Sequence, residues 1–204
     1  MEPDEKDFEQ WWEGSFGLEH KEGMCQTAFL KTVARDAWKQ ASQITDKHQF
    51  RKFDDSCRQT RWDKRYLELA RHVASWSKDP STKTGAVITA PDGRVVSVGY
   101  NGFAKGVDDT PERYNDRDLK YKMIVHCERN AILFAKRDLA GCTLYTWPFM
   151  SCSVCAAMVI QAGIKRCVAP PVPPHLLERW GHDMNVLATT MFNEAGVEVV
   201  TLDL

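Results

Sequence analysis

The chain has 204 residues, 43% of them hydrophobic, and 27 Lys+Arg against 28 Asp+Glu leave a formal net charge of −1. That length suffices for one ordinary domain with its own core plus an appendage, without disulfides to hold it together. The charge balance argues against a dedicated nucleic-acid binder, and no run of about 18 apolar residues is present to span a membrane. The acidic, polar start MEPDEKDFEQ is unlike a secretory signal, so a soluble, cytoplasmic protein with reduced thiols is expected.

Residues 1–60 carry 12 acidic and 9 basic side chains and read as a small helical N-terminal segment. Apolar side chains at Leu30, Val33, Ala37, Ala41 and Ile44 recur at helical spacing and predict a helix over 27–44, with Trp11, Trp12 and Trp38 packing on it. The charged stretch 46–61 reads as a linker. From 61 to the end a second domain is expected. Asp63 can cap a helix whose inner face is Tyr66, Leu69, Ala70 and Val73. Two β-rich runs, 85–90 and 94–100, flank Pro91-Asp92-Gly93 and predict a hairpin. A polar stretch over 101–123 has no clear period and reads as a long functional loop. Helices at 127–136, 152–162 and 184–194 then alternate with strands at 143–147, 166–169 and 197–202. That alternation implies parallel crossovers, and with the hairpin it predicts a three-layer α/β/α domain on a mixed sheet.

Two segments carry the chemistry. His126-Cys127-Glu128 opens one predicted helix, and Cys152-Ser153-Val154-Cys155 opens the next. Helix starts present free N–H groups and the positive end of the dipole, which favours thiolate. One imidazole and two thiolates can therefore meet at one metal, leaving a fourth tetrahedral position for water, as in catalytic zinc sites. Glu128, two residues from His126, can stand beside that metal and shuttle a proton to a substrate nitrogen. The pairing of H-x-E with P-C-x-x-C is the general signature of zinc deaminases of nucleobases, from which this chain departs in carrying Ser151 directly before Cys152 and its proline at Pro148.

Four stretches, SKDPSTKTGAVI (77–88), GYNGF (99–103), HCERNAILFAKR (126–137) and SCSVCAAMVIQAGI (151–164), resemble the zinc-dependent cytidine deaminase superfamily, most closely the deoxycytidylate (dCMP) deaminases. The resemblance covers about 62–204. It implies a five-stranded mixed sheet flanked by helices, Zn2+ on His126, Cys152 and Cys155, and Glu128 as proton shuttle. It also implies hydrolysis of dCMP to dUMP and ammonia for thymidylate synthesis, in a homo-oligomer, dimer or hexamer. The residue matching Asn101 contacts the substrate sugar in relatives, while Cys127 stands where relatives carry Ala and Trp147 precedes the zinc cysteines; both are candidates for the base pocket. Gly99, Tyr100, Gly102, Lys105 and Arg137 are candidates for a nucleotide effector site taking dCTP or dTTP, or for phosphate. Lys105, Arg113, Arg117, Lys120 and Lys122 supply loop cations for a substrate phosphate. Cys25, Cys57, Cys142 and Cys167 read as structural thiols. The FEQWW and ARDAWKQA stretches resemble a segment of bacteriophage-encoded proteins, which would place the chain in a host cytoplasm.

Three readings stay open on sequence grounds. The substrate can be dCMP or a 5-methyl or 5-hydroxymethyl derivative. A nucleoside, tRNA or single-stranded DNA deaminase shares the same zinc core, although 18 basic against 16 acidic residues in 61–204 give a polyanion no track. A catalytically inactive nucleotide sensor is the third.

Overall fold

A computed structural model describes residues 9–10, 34–36, 39 and 47–204, with side chains in the last stretch from Ser56 onward. The chain divides into two compact units, Met1–Thr60 and Arg61–Leu204, and each is taken by itself. In the first, the described residues 34–36 and 39 are helical and Arg35 bonds Glu9 at 3.0 Å. The remainder of the helix expected over 27–44, with Trp11, Trp12 and Trp38, lies outside the described residues.

The stretch expected to be a linker is helical. Helix α1 runs over Lys47–Ala74, because 46–74 contains neither Gly nor Pro and is rich in Arg, Lys and Gln, which favour helix without any apolar stripe. Asp63 consequently sits inside α1 and caps nothing. Beyond it, Leu67, Ala70, Val73 and Ala74 are buried at helical spacing and cover one face of the sheet.

Strands β1 (Gly85–Thr89) and β2 (Val95–Tyr100) form the expected antiparallel hairpin. Gly93, at φ 85°, takes the left-handed turn position, and Asp92 accepts the Arg94 N–H at 3.1 Å. The stretch expected to be a loop contains structure of its own: β3 (Gly102–Phe103), α2 (Pro111–Asn115), α3 (Arg117–Met123) and β4 (Ile124–Val125). Thr110 and Asp116 accept the N–H groups of Arg113 and Leu119, so two N-caps start helices too short to show a period. Helix α4 (Cys127–Ala135), strand β5 (Thr143–Trp147), helix α5 (Ser153–Gln161) and strand β6 (Arg166–Ala169) follow as expected.

The last helical run begins ten residues earlier than the apolar pattern suggests. It comprises α6 (Pro174–Gly181), a π-helical stretch His182–Ala188 and α7 (Thr189–Glu194), and leads to β7 (Glu198–Thr201). Pro174 occupies the first helical turn, where its missing N–H costs nothing.

The five-stranded sheet has order β2-β1-β5-β6-β7, antiparallel across β2/β1/β5 and parallel across β5/β6/β7. Alternation along the strands loads both faces. Val87, Tyr145 and Val168 face α1, while Ile88, Leu144 and Cys167 join Ala131, Val159 and Phe192 on the other side. The mixed three-layer α/β/α expectation therefore holds. Cys142 and Cys167 are buried core thiols, as expected of structural cysteines. No described helix is long and apolar enough to cross a membrane.

Candidate active site

The site is built where α4 and α5 begin. His126 is the N-cap of α4 and Cys152 the N-cap of α5, both with extended backbone and neither using its side chain to cap. The uncommitted side chains turn toward each other. His126 Nδ1 lies 3.5 Å from Cys152 Sγ and 3.3 Å from Cys155 Sγ, and all three donor atoms fall within 4.8 Å of one another. Among the described residues this is the one such cluster of His, Cys, Asp and Glu. Zn–S bonds of about 2.3 Å and Zn–N bonds of about 2.0 Å at a tetrahedral angle need an N···S separation of roughly 3.5 Å. The donor set therefore fits zinc and leaves a fourth position for a non-protein ligand.

The electrostatics agree. The hydrogen bond from Cys155, aided by His126, outweighs burial and lowers Cys152, and the same contact together with burial pushes Cys155 up. The bond to Cys152 raises His126 against its burial. Three donors crowded around shared protons form an arrangement that a dication would replace.

Glu128 is buried in the first turn of α4. Cys127 beside it is fully enclosed, and burial first, then the neighbouring Glu128 charge, push its thiol well up. It is thus a neutral S–H that donates to Glu128 Oε2 at 3.2 Å. Helix α4 is held close to the sheet by Gly99, where a Cβ would stand 2.4 Å from both Cys127 O and Ala131 N. The glycine of the GYNG segment is required by helix-on-strand packing, independently of any ligand.

A cavity of about 860 Å³ opens over these residues, lined by His126, Cys127, Glu128 and Cys152 at one place and by Asn101, Trp147, Phe149 and Met150 nearby. Asn101 is buried and heavily engaged. Its Oδ1 accepts the Thr84 N–H at 2.8 Å, and its Nδ2 donates to Thr82 O at 2.9 Å and Asp79 Oδ2 at 3.3 Å. Of the loop cations named from sequence, Arg117 and Lys120 reach the lining, whereas Lys105, Arg113 and Lys122 do not. Gly99, Tyr100, Gly102 and Arg137 also lie outside the lining.

Lys120 is buried against Asp79 at 3.2 Å and bonds Ser81 Oγ. Burial alone would raise the Asp79 carboxyl, but the N–H and hydroxyl of Ser81, the Thr82 N–H and Lys120 outweigh it and hold it below its ordinary value. A depressed folded value means that Asp79 stabilises the fold fully above about pH 4 and loses that contribution as pH falls through the lower folded value. Asp79→Asn should accordingly flatten the acid limb of stability, read as urea midpoints between about pH 2.5 and 6.

Sequence reasoning missed part of the wall. Arg129, Arg179, Trp180 and Asp183 line the cavity, and Trp180 meets Tyr121 edge-on at 5.9 Å. Arg129 Nε and Ser151 Oγ are buried with no hydrogen-bond partner among the described residues. The signal for Arg179, Trp180 and Asp183 was present as helical spacing, visible once α6 is started at Pro174.

Residues 60–170 match the model of the cytidine and deoxycytidylate deaminase zinc-binding region. The chain belongs to this family. It is 48% identical over 145 residues to an uncharacterized deaminase from the luxG 3′ region of Aliivibrio fischeri, covering 71% of this chain and 96% of that protein. It is 35% identical over 142 residues to the deoxycytidylate deaminase of Homo sapiens, covering 67% and 76%. The crystal structure of dCMP deaminase from the cyanophage S-TIM5, in complex with dCMP and dUMP, superimposes with a TM-score of 0.53 at 19% identity over 68% of this chain and 95% of that one, a likeness of fold. The family is a zinc-binding one, and His126, Cys152 and Cys155 are the described residues suited to hold the ion.

Proposed function

We propose that the protein is a hydrolase that converts dCMP to dUMP and ammonia. The observation that carries this reading is the buried carboxylate of Glu128 beside the His126, Cys152 and Cys155 donor set, within a cavity of nucleotide size. Relatives named deoxycytidylate deaminase support the choice of nucleotide.

His126, Cys152 and Cys155 would hold zinc, which when bound would supply an activated water as the nucleophile. Glu128 does the proton work. It accepts a proton from the water, delivers it to N3 as oxygen adds to C4, and then carries the second proton to the exocyclic amine as the C4–N bond breaks. The Cys127 S–H holds the Glu128 carboxylate in place, and Trp147 closes the base pocket. Both amide hydrogens of Asn101 are committed, so it serves the sugar through the second lone pair of Oδ1, which accepts from a hydroxyl. Arg117, Arg129 and Arg179 are the cations for the phosphate, since Lys120 is neutralised by Asp79. The buried Nε of Arg129, which has no partner among the described residues, favours it among the three.

Gly99, Tyr100 and Gly102, which flank Asn101, are proposed with Lys105 and Arg137 for dCTP or dTTP control, outside the lining of the cavity. Exposed Leu133 and Phe134 on α4 are proposed as a homo-oligomer contact. A 5-methyl or 5-hydroxymethyl substituent would be felt against Trp147 and Phe149.

A substrate panel tests the reading. The zinc-loaded full chain should turn over dCMP far better than deoxycytidine, tRNA or single-stranded DNA, with 5-substituted dCMP compared in the same assay and each reaction run with and without dCTP or dTTP. Preference for a polynucleotide would overturn it in favour of a nucleic-acid deaminase. Tight dCTP binding with no deamination of any member would favour a sensor.

A further inference from the structure

The C-terminal helical run forms one wall of the cavity. Leu176, Arg179, Trp180, Asp183 and Met184 recur at helical spacing along it, and all five line the cavity. The wall changes from α to π geometry at His182–Ala188, where the Thr189 hydroxyl bonds the Met184 carbonyl at 3.1 Å. Such wide turns recur at functional sites and re-aim the side chains that follow.

Asp183, within that turn, reaches the first residue of α5. Its Oδ2 accepts the Ser153 backbone N–H at 2.9 Å, and its Oδ1 accepts the Ser153 hydroxyl at 2.6 Å. Ser153 lies between the two cysteines of the donor set. The first N–H groups of a helix have no partner inside it, and an N-cap side chain reaches only that of the second or third helical residue. Here the N-cap is Cys152, whose sulfur faces His126 and Cys155 and makes no cap bond. A side chain thirty residues away takes the N–H of the first helical residue, Ser153, and its negative charge suits the helix start.

We infer that Asp183 is a positioning residue for the metal ligands: by bonding both polar groups of Ser153 it fixes the turn that carries Cys152 and Cys155. The inference rests on the reading of His126, Cys152 and Cys155 as the zinc site. Asp183 touches no reacting atom in this account and acts through the cysteines. It also pins the wall carrying Arg179 and Trp180 to the start of α5.

Cobalt titration of the metal-stripped full chain, followed by the thiolate-to-cobalt absorption band, tests this without relying on activity. Asp183→Ala should bind Co2+ about 10- to 100-fold more weakly than wild type, the usual consequence of losing a partner that orients a ligand. Asp183→Asn should stay near wild type, because its Oδ1 can accept the Ser153 N–H and its Nδ2 can donate to Ser153 Oγ. Ser153→Ala removes only the hydroxyl bond, keeps the fold, and should weaken binding roughly 3- to 10-fold. Should Asp183→Ala not fold, Ser153→Ala decides alone. Cobalt affinity equal to wild type in Ser153→Ala, and in Asp183→Ala where it folds, overturns the inference. A wild-type chain that develops no thiolate band overturns the site reading beneath it.

Discussion

Glu128→Gln should lose about 10²- to 10⁴-fold in kcat, the range associated with removing a positioned general acid–base group. Gln has the same shape, and its Oε1 can still accept the Cys127 S–H that Glu128 Oε2 accepts at 3.2 Å. The side chain sits in the first turn of α4 and is not one of the three clustered donors, so metal content and fold should be retained. What disappears is the ability to take a proton from water and return it to the substrate. Zinc content and KM should therefore stay close to wild type while kcat collapses. A variant with normal zinc that keeps kcat within tenfold of wild type would show that the proton moves through another group.

Asp63→Ala should destabilise the fold by about 3 kcal/mol, the lower end of what breaking a buried ion pair costs. Asp63 lies on the side of the sheet covered by α1. Its two oxygens take the Arg166 guanidinium in a fork, at 2.8 Å each, and Oδ1 also accepts the buried Tyr145 hydroxyl at 2.8 Å. Removing it leaves a mostly buried cation and takes from the Tyr145 O–H its carboxylate acceptor. Burial and the neighbouring carboxylate both raise Tyr145, so it remains a donor that needs an acceptor. Arg166 keeps Glu198 at 3.1 Å, which moderates the loss. Urea unfolding measures the effect, and kcat at low temperature should be unchanged because this network is across the sheet from Glu128. A shift below about 1 kcal/mol would mean that the pair is held by water as well as by the fold.

The parts legible in the sequence are those that depend on neighbours in the chain. The hairpin around Gly93 rests on local turn chemistry. The metal donor set rests on two helix starts whose side chains are close in sequence to their own N-caps. Position 127 was legible as a pocket residue, while the bond of its thiol to Glu128 required the geometry. The misread parts depend on partners far along the chain. Asp63 resembles a helix cap at the start of an apolar period, yet its partners are Tyr145 and Arg166, more than eighty residues on. Helical spacing from Pro174 can place Asp183 on the cavity wall, but its partner, Ser153, lies thirty residues away and is not marked by any local pattern. The helix over 47–61 has no apolar stripe, so composition read it as a linker. The helices beginning at Pro111 and Arg117 were announced only by their caps, Thr110 and Asp116, which a search for periodicity passes over. The helix that walls the cavity opens at Pro174, ten residues before the apolar period over 184–194.

The most direct measurement is the product balance on dCMP. The full chain, loaded with one zinc per molecule and supplied with dCMP, is predicted to release dUMP and ammonia in equal amounts as dCMP is consumed. A fully zinc-loaded, folded chain that leaves dCMP intact would contradict the account at its centre.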